Sequence, residues 1–174
     1  THVLGYVKEM SRLECAVETL RLALEALEEA LPGAERAEVW GHLWALYVQS
    51  EVDWRLSKAE RQSRYQQCGR DMDQLIRWLK GRPSELSELE EVKLLGRVFE
   101  EQFEVVEGKV HPSLKRPARS VQNPHDPDAH FADKGKRTWV GYKVHVVESV
   151  DPARPAKVKG VAGENFITEV LTTE

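Results

Sequence analysis

Cysteine is nearly absent: Cys15 and Cys68 are the two in 174 residues, far apart and outside any C-x-x-C pair. That spacing argues against a disulfide framework or a zinc site, and two buried, reduced thiols are expected. Long apolar runs are missing as well. None approaches the ~18 to 20 consecutive apolar residues that a bilayer crossing requires, and the opening residues lack the charged, apolar and small-residue order of a signal peptide. The expectation is a cytoplasmic chain with no membrane partner. Internal repeats and low-complexity tracts are also absent. What remains is an ordinary soluble balance, 41% hydrophobic and 31% charged, with chain enough for one or two cored domains.

Charge is unevenly spread. Residues 1–108 carry 14 Lys+Arg against 21 Asp+Glu, net -7; residues 109–159 carry 11 against 5, net +6; residues 160–174 carry 0 against 3, net -3, for a total of -4. A local basic stretch on an acidic chain is compatible with phosphate contact, because the field near a surface follows nearby charges. It is equally compatible with a solvated loop.

Hydrophobic spacing divides the chain. Thr1 to Val7 reads as a short strand or its tail. Ser11 and Glu14 form an S-x-x-E capping box before Leu13, Val17, Leu20, Leu24, Leu27 and Leu31, a helical stripe ended by Pro32 and Gly33. Ala37 to Ser50 predicts a second helix, with Val39, Leu43, Leu46 and Tyr47 on one side and Trp40 and Trp44 as core. Ser57 and Glu60 open a third, whose stripe is Tyr65, Cys68, Met72, Leu75, Ile76 and Leu79 and whose C-terminal cap is Gly81. Its other face, with Arg61, Arg64, Arg70, Arg77 and Lys80 interleaved by Glu60, Asp71 and Asp73, reads as solvated. Ser87 and Glu90 are expected to cap a fourth helix running to about Val105, with Val92, Leu95, Val98, Phe99 and Phe103 inward. Four such helices bury their stripes most simply as an antiparallel bundle.

Residues 108–136 show no period and contain four prolines, which predicts a long extended connection. Trp139 to Val147 then alternates as a strand, Val140, Tyr142, Val144 and Val146 on one face and Trp139, Lys143, His145 and Val147 on the other. A second strand, Asn165 to Thr173, is expected to pair with it antiparallel.

The most distinctive blocks are Asn123-Pro-His-Asp-Pro-Asp-Ala-His130, Lys134-Gly-Lys-Arg-Thr-Trp-Val-Gly-Tyr-Lys-Val-His145 and Phe166-Ile-Thr-Glu-Val-Leu-Thr-Thr173. In order and strand character they resemble the DDE-type transposases of bacterial insertion sequences, with their "SP-x-DPDAR…K-GK…W-x-GYK-x-H" and "LIT-x-V-x-TTPAN" stretches. Thr1-His-Val-Leu and Arg12-Leu-Glu-Cys-Ala-Val-Glu-Thr-Leu-Arg21 are similar to the family's "DSTHVL…RLE-x-x-x-ETLR". The likeness covers both ends and residues 94–108, while the middle helices match in character alone.

The resemblance implies an α+β chain. It would comprise the tail of a first sheet strand (1–7), a helical insertion domain (8–107), a basic Pro-rich connection (108–136) and a β-hairpin of an incomplete ribonuclease H-like sheet (137–174). The parent enzyme is implied to cleave DNA at transposon ends and transfer strands with magnesium. Its first metal-binding Asp would precede Thr1 and the other two acids would follow Glu174. By this alignment the chain is an internal fragment, without cofactor, and inactive in isolation.

Asp126 and Asp128 are the carboxylates a reader is tempted to call catalytic, and with His125, His130 and Asp133 they make a His/Asp-rich cluster. Alternation with Pro124 and Pro127 points instead to a rigid turn in which each Asp caps a backbone amide, and no metal site is expected. Lys134, Lys136, Arg137 and Lys143 are the expected contacts to a DNA backbone, which such cations hold without reading sequence. An exposed sheet face is the plainer reading of Lys143 and His145. For Trp139 and Tyr142, core packing is favoured over base stacking. The expected partner is DNA at transposon ends, with a homodimer compatible with synapsis and no small-molecule substrate. The alternative is a non-catalytic helical interaction or dimerisation module.

Overall fold

A computed structural model describes residues 10–31, 41–50, 55–114, 117, 119–134, 137–149 and 166–173. The expected strand at Thr1 to Val7, and Trp40, lie outside them. The chain is broadly α+β. Helices α1 (Arg12–Ala30), α2 (Lys58–Leu79), α3 (Ser84–Ser87) and α4 (Glu90–Gln102), with a π-helical turn at Ala45–Gln49, precede strands β1 (Phe103–Val106), β2 (Lys109–Pro112), β3 (His130–Lys134), β4 (Arg137–Gly141), β5 (Lys143–Ser149) and β6 (Phe166–Thr173). Among the described residues the strands form three antiparallel pairs, β1 with β2, β3 with β4, and β5 with β6. No described helix is long and apolar enough to cross a membrane.

The central element is α1, which packs against α4, α2 and the π-helical turn. Neighbours on three sides explain the width of its buried face: Leu13, Ala16, Val17, Leu20, Ala23, Leu24 and Leu27 are buried together with Cys15 and Thr19. Thr19 satisfies its hydroxyl locally by donating to the Cys15 carbonyl, 2.7 Å away. The capping boxes read at Ser11 and Ser57 are both present. Each hydroxyl accepts from the amide three residues on, and the Glu14 or Glu60 carboxylate accepts in return from the Ser amide at 2.8 Å. Four otherwise unpaired backbone amides are settled there at two helix starts.

The stripe read on α2 is also observed, with Cys68, Met72, Leu75 and Leu79 buried and Tyr65 and Ile76 packed against the core. One buried carboxylate interrupts this apolar region. Asp71 accepts from the Tyr47 hydroxyl at 2.6 Å and from the Gln67 amide at 2.8 Å, the donors that a carboxylate removed from water needs. Burial, more than any neighbour, raises the Tyr47 hydroxyl above its ordinary pKa. Both cysteines are free and buried, as their scarcity and spacing suggested.

Several elements differ from the sequence expectation. The second helix is α-helical over 41–44 and then widens into the π turn. There Leu43 and Tyr47 are buried, Trp44 is half-buried, and Leu46 is 37% exposed and outside the expected stripe. Gly81 makes no left-handed cap. Lys80 stays right-handed at φ -59 and ψ -20, and tight turns from Trp78 and Leu79 close the end of α2.

Ser87 belongs to the one-turn helix α3, and α4 starts from Leu89 with no side-chain cap, its first turn carrying Glu90 and Glu91. Those acids suit the positive end of the helix dipole. The fourth helix ends at Gln102 rather than near Val105. Beyond it Glu107 and Gly108 take φ 50 and 74, the left-handed pair that a two-residue hairpin turn needs, and Val105 faces Val110. Phe103 keeps its inward place while opening a strand, its ring 4.8 Å from Tyr65 and 5.7 Å from Phe99.

The connection at 108–136 is therefore not wholly extended loop, since β2 and β3 lie within it. The expected single strand Trp139 to Val147 is broken at Tyr142, β4 pairing with β3 and β5 with β6. Val140 is buried but Tyr142, expected on the same face and in the core, is 42% exposed. The antiparallel partner expected from Asn165 onward is β6, which starts at Phe166 and shifts register once, between Val147 and Glu148.

Candidate nucleic-acid interface

The basic segment is reached through a crossing that is tied down at every few residues. Arg12 donates to the Ser113 and Gln102 carbonyls, both at 2.9 Å, and the Ser113 amide donates to Gln102 at 2.9 Å. Further on, Val121 is fully buried in the core. Its amide donates to the Glu101 carboxylate at 2.7 Å, and its carbonyl accepts from the Cys15 thiol at 3.8 Å. Ser120, Gln122 and Asn123 are buried beside it. This loop is packed like core because its polar groups find partners there, among them the Gln122 amide on the Ser120 carbonyl at 2.8 Å.

From Asn123 the chain makes two successive turns, Asp126 amide to Asn123 carbonyl at 3.1 Å and Ala129 amide to Asp126 carbonyl at 3.2 Å. The turn expected from the prolines is present, but the side chain that caps an amide is Asn123, accepting from His125 at 2.9 Å. The Asp126 carboxylate instead accepts from the Tyr142 hydroxyl, and Asp128 is exposed. His125 Nε2 lies 2.7 Å from Glu18 on α1, whose carboxylate is also held by Arg21 at 2.7 Å. The Arg21 hydrogen bond is the main reason that Glu18 sits below its ordinary pKa; burial works against it, and His125 adds to the lowering. Among the described residues no group of three His, Cys, Asp or Glu side chains is arranged to hold a metal ion.

Two contacts thus bracket the root of the β3–β4 hairpin, His125 to α1 on one side and Asp126 to Tyr142 on the other. The register of that hairpin runs from His130 facing Gly141 to Lys134 facing Arg137. Lys134 and Arg137 are consequently register partners at the end of that pair, while Lys136 lies outside the described residues. Lys143 opens β5 opposite Thr173. Two of the four expected cations are therefore register partners, and Lys143 begins the next strand. Glu18, Glu101 and Tyr142 carry no local sequence signal for their parts in holding this segment. Their partners are 107, 20 and 16 residues away.

Comparison with protein-family models, with curated proteins and with solved structures returns no match.

Proposed function

We propose that this chain is an internal part of a DDE-type transposase, and that its β3–β4 hairpin and the start of β5 contact the DNA backbone. In this reading the helices are an insertion into a ribonuclease H-like sheet, and β5 with β6 are neighbouring strands of that sheet. The observation that carries the DNA contact is the register pairing of Lys134 with Arg137 at the end of β3 and β4, with Lys136 between them in the sequence. Like charges directly opposite on a strand pair are destabilising. A polyanion relieves such a pair, and the resembling blocks of sequence include it.

Magnesium chemistry belongs to the parent enzyme in this reading. Asp126 accepts from the Tyr142 hydroxyl and Asp128 is exposed, and this reading gives neither a metal-binding role. The contribution of the chain is to position and neutralise DNA.

The test is an electrophoretic mobility shift of a duplex of about 30 base pairs at graded salt. Each phosphate contact contributes about 0.9 to the slope of log affinity on log salt. The Lys134→Ala/Lys136→Ala/Arg137→Ala variant is expected to weaken binding and to lower that slope by 2 to 3, about one per contact. Binding that ignores both salt and these changes rules the reading out.

A second reading, a non-catalytic interaction or dimerisation module, is favoured by apolar exposure around the β1–β2 hairpin, Val105 at 45%, Val106 at 50% and Leu114 at 97%. Sedimentation equilibrium of wild type against Val106→Lys separates it: a dimer dissolved by that change supports this alternative.

A further inference from the structure

We propose that the exposed face of α2 is a second DNA-backbone contact, formed by Gln62, Arg70, Arg77 and Lys80 with the half-buried Gln66 among them. The inference rests on the DNA reading above and adds a separate surface to it. The first observation is the sign of each helix. From the sequence, α1 carries 2 cations against 5 acids, net -3, and α4 carries 2 against 4, net -2. Helix α2 carries 5 cations against 3 acids, net +2, and one of those acids, Asp71, is buried. In a helical half that is acidic as a whole, the longest helix is basic.

The second observation is how the cations are partnered. On α1, Arg21 is held by Glu18 and Glu25; on α4, Lys93 is held by Glu90 and by Glu88, and Arg97 by Glu101. On α2, Arg77 shares Asp73 at 2.8 Å, but Arg70 directs two nitrogens to the Gln67 amide oxygen at 3.2 and 2.6 Å, a partner without net charge. Lys80 is exposed. The positive charge on this face is left largely uncompensated, although Arg70 and Arg77 are each braced by a neighbour one turn away.

Geometry makes the set continuous. At ~100° and ~1.5 Å per residue, positions 62, 66, 70, 77 and 80 fall within about 80° of one another and span about 27 Å. Asp73 is the one acid within that sector. Lys80 extends the row because its backbone is still right-handed. Glutamine and arginine side chains are common donors to phosphate oxygens, and ~27 Å is ample to cross a major groove ~12 Å wide. The rest of α2 is seated in the core through Cys68, Met72, Leu75 and Leu79, so the row is presented by a fixed helix. That same seating argues for a nucleic acid over an anionic membrane: an interfacial helix needs its apolar face for the lipid, and here the protein core already covers it.

The experiment uses the whole chain and the same duplex, comparing Arg70→Ala/Arg77→Ala/Lys80→Ala with the hairpin variant and with Asp73→Asn. The α2 variant is expected to lose affinity on every duplex sequence and to lower the salt slope by about 2 to 3, while keeping the helical content of wild type. Asp73→Asn, which removes the single acid of the row, is expected to tighten binding several-fold. An unchanged slope in the α2 variant, with the hairpin variant weakened, overturns this inference and leaves the hairpin contact standing. The reverse pattern supports α2 and removes the hairpin. Dependence of phosphatidylserine-vesicle binding on these α2 residues, with no change in DNA binding, also overturns it.

Discussion

Gly69 lies where α2 meets β1, and a Cβ built there would come within 2.5 Å of the Phe103 ring. Because Phe103 is buried between Tyr65 and Phe99, the ring has little room to yield. Gly69→Ala is therefore expected to destabilise by about 1 to 3 kcal/mol in urea unfolding, despite the better helix propensity of alanine. An unchanged midpoint would show that the ring moves freely. At the same scale, Glu18 joins α1 to the loop that leads to the hairpin, its carboxylate held by Arg21 and His125, with Arg21 held in turn by Glu25. Its folded pKa lies below the ordinary 4.5. A depressed carboxylate contributes stability above its unfolded pKa, and that contribution is lost as pH falls from 4.5 through the folded value. Glu18→Gln is expected to be less stable near neutrality and to show a shallower loss of unfolding midpoint below pH 4.5. Equal acid sensitivity of the two proteins would count against the His125–Glu18 contact as an anchor.

Elements were legible where local chemistry and packing agree. Ser11 with Glu14 and Ser57 with Glu60 mark true helix starts because each box closes within one turn and needs nothing from the rest of the chain. Ser87 with Glu90 has the same spacing but fails. Pro83 opens a separate turn, Ser84–Ser87, in which Leu86 is buried, and α4 restarts after it. The β1–β2 hairpin was hidden by Phe99 and Phe103, whose spacing continues the helical stripe although the backbone changes under them. Its turn uses Glu107 at φ 50, a left-handed position that asparagine tolerates far better than glutamate. Glu107→Asn is expected to stabilise the protein by up to about 1 kcal/mol in thermal or urea unfolding. A loss of stability would mean that the Glu107 side chain makes a contact stronger than the turn preference.

The core of the described residues is organised by α1, which gathers α2, α4 and the loop at Val121. Cys15 and Cys68 both lie within that core at 0% exposure, and burial pushes the Cys68 thiol above its ordinary pKa. Thiol reagents are expected to label neither residue in native protein, and to label both at the rate of global unfolding. Fast labelling of Cys15 alone would reveal that the loop at Val121 opens independently. By itself the sequence determined the stripes of the first and third helices, the capping boxes at Ser11 and Ser57, the antiparallel β5–β6 pair, the buried thiols and the charge asymmetry. All of these follow from periodicity, composition or contacts within a turn. Only the tertiary structure decided that Val121 and its neighbours are core and that Asp126 answers Tyr142. The same is true of His125 meeting Glu18, and of Lys134 facing Arg137. Those pairings join residues that no period connects: at Val121 a buried amide and carbonyl find partners in Glu101 and Cys15, and elsewhere the path of the chain and the strand register bring the groups together.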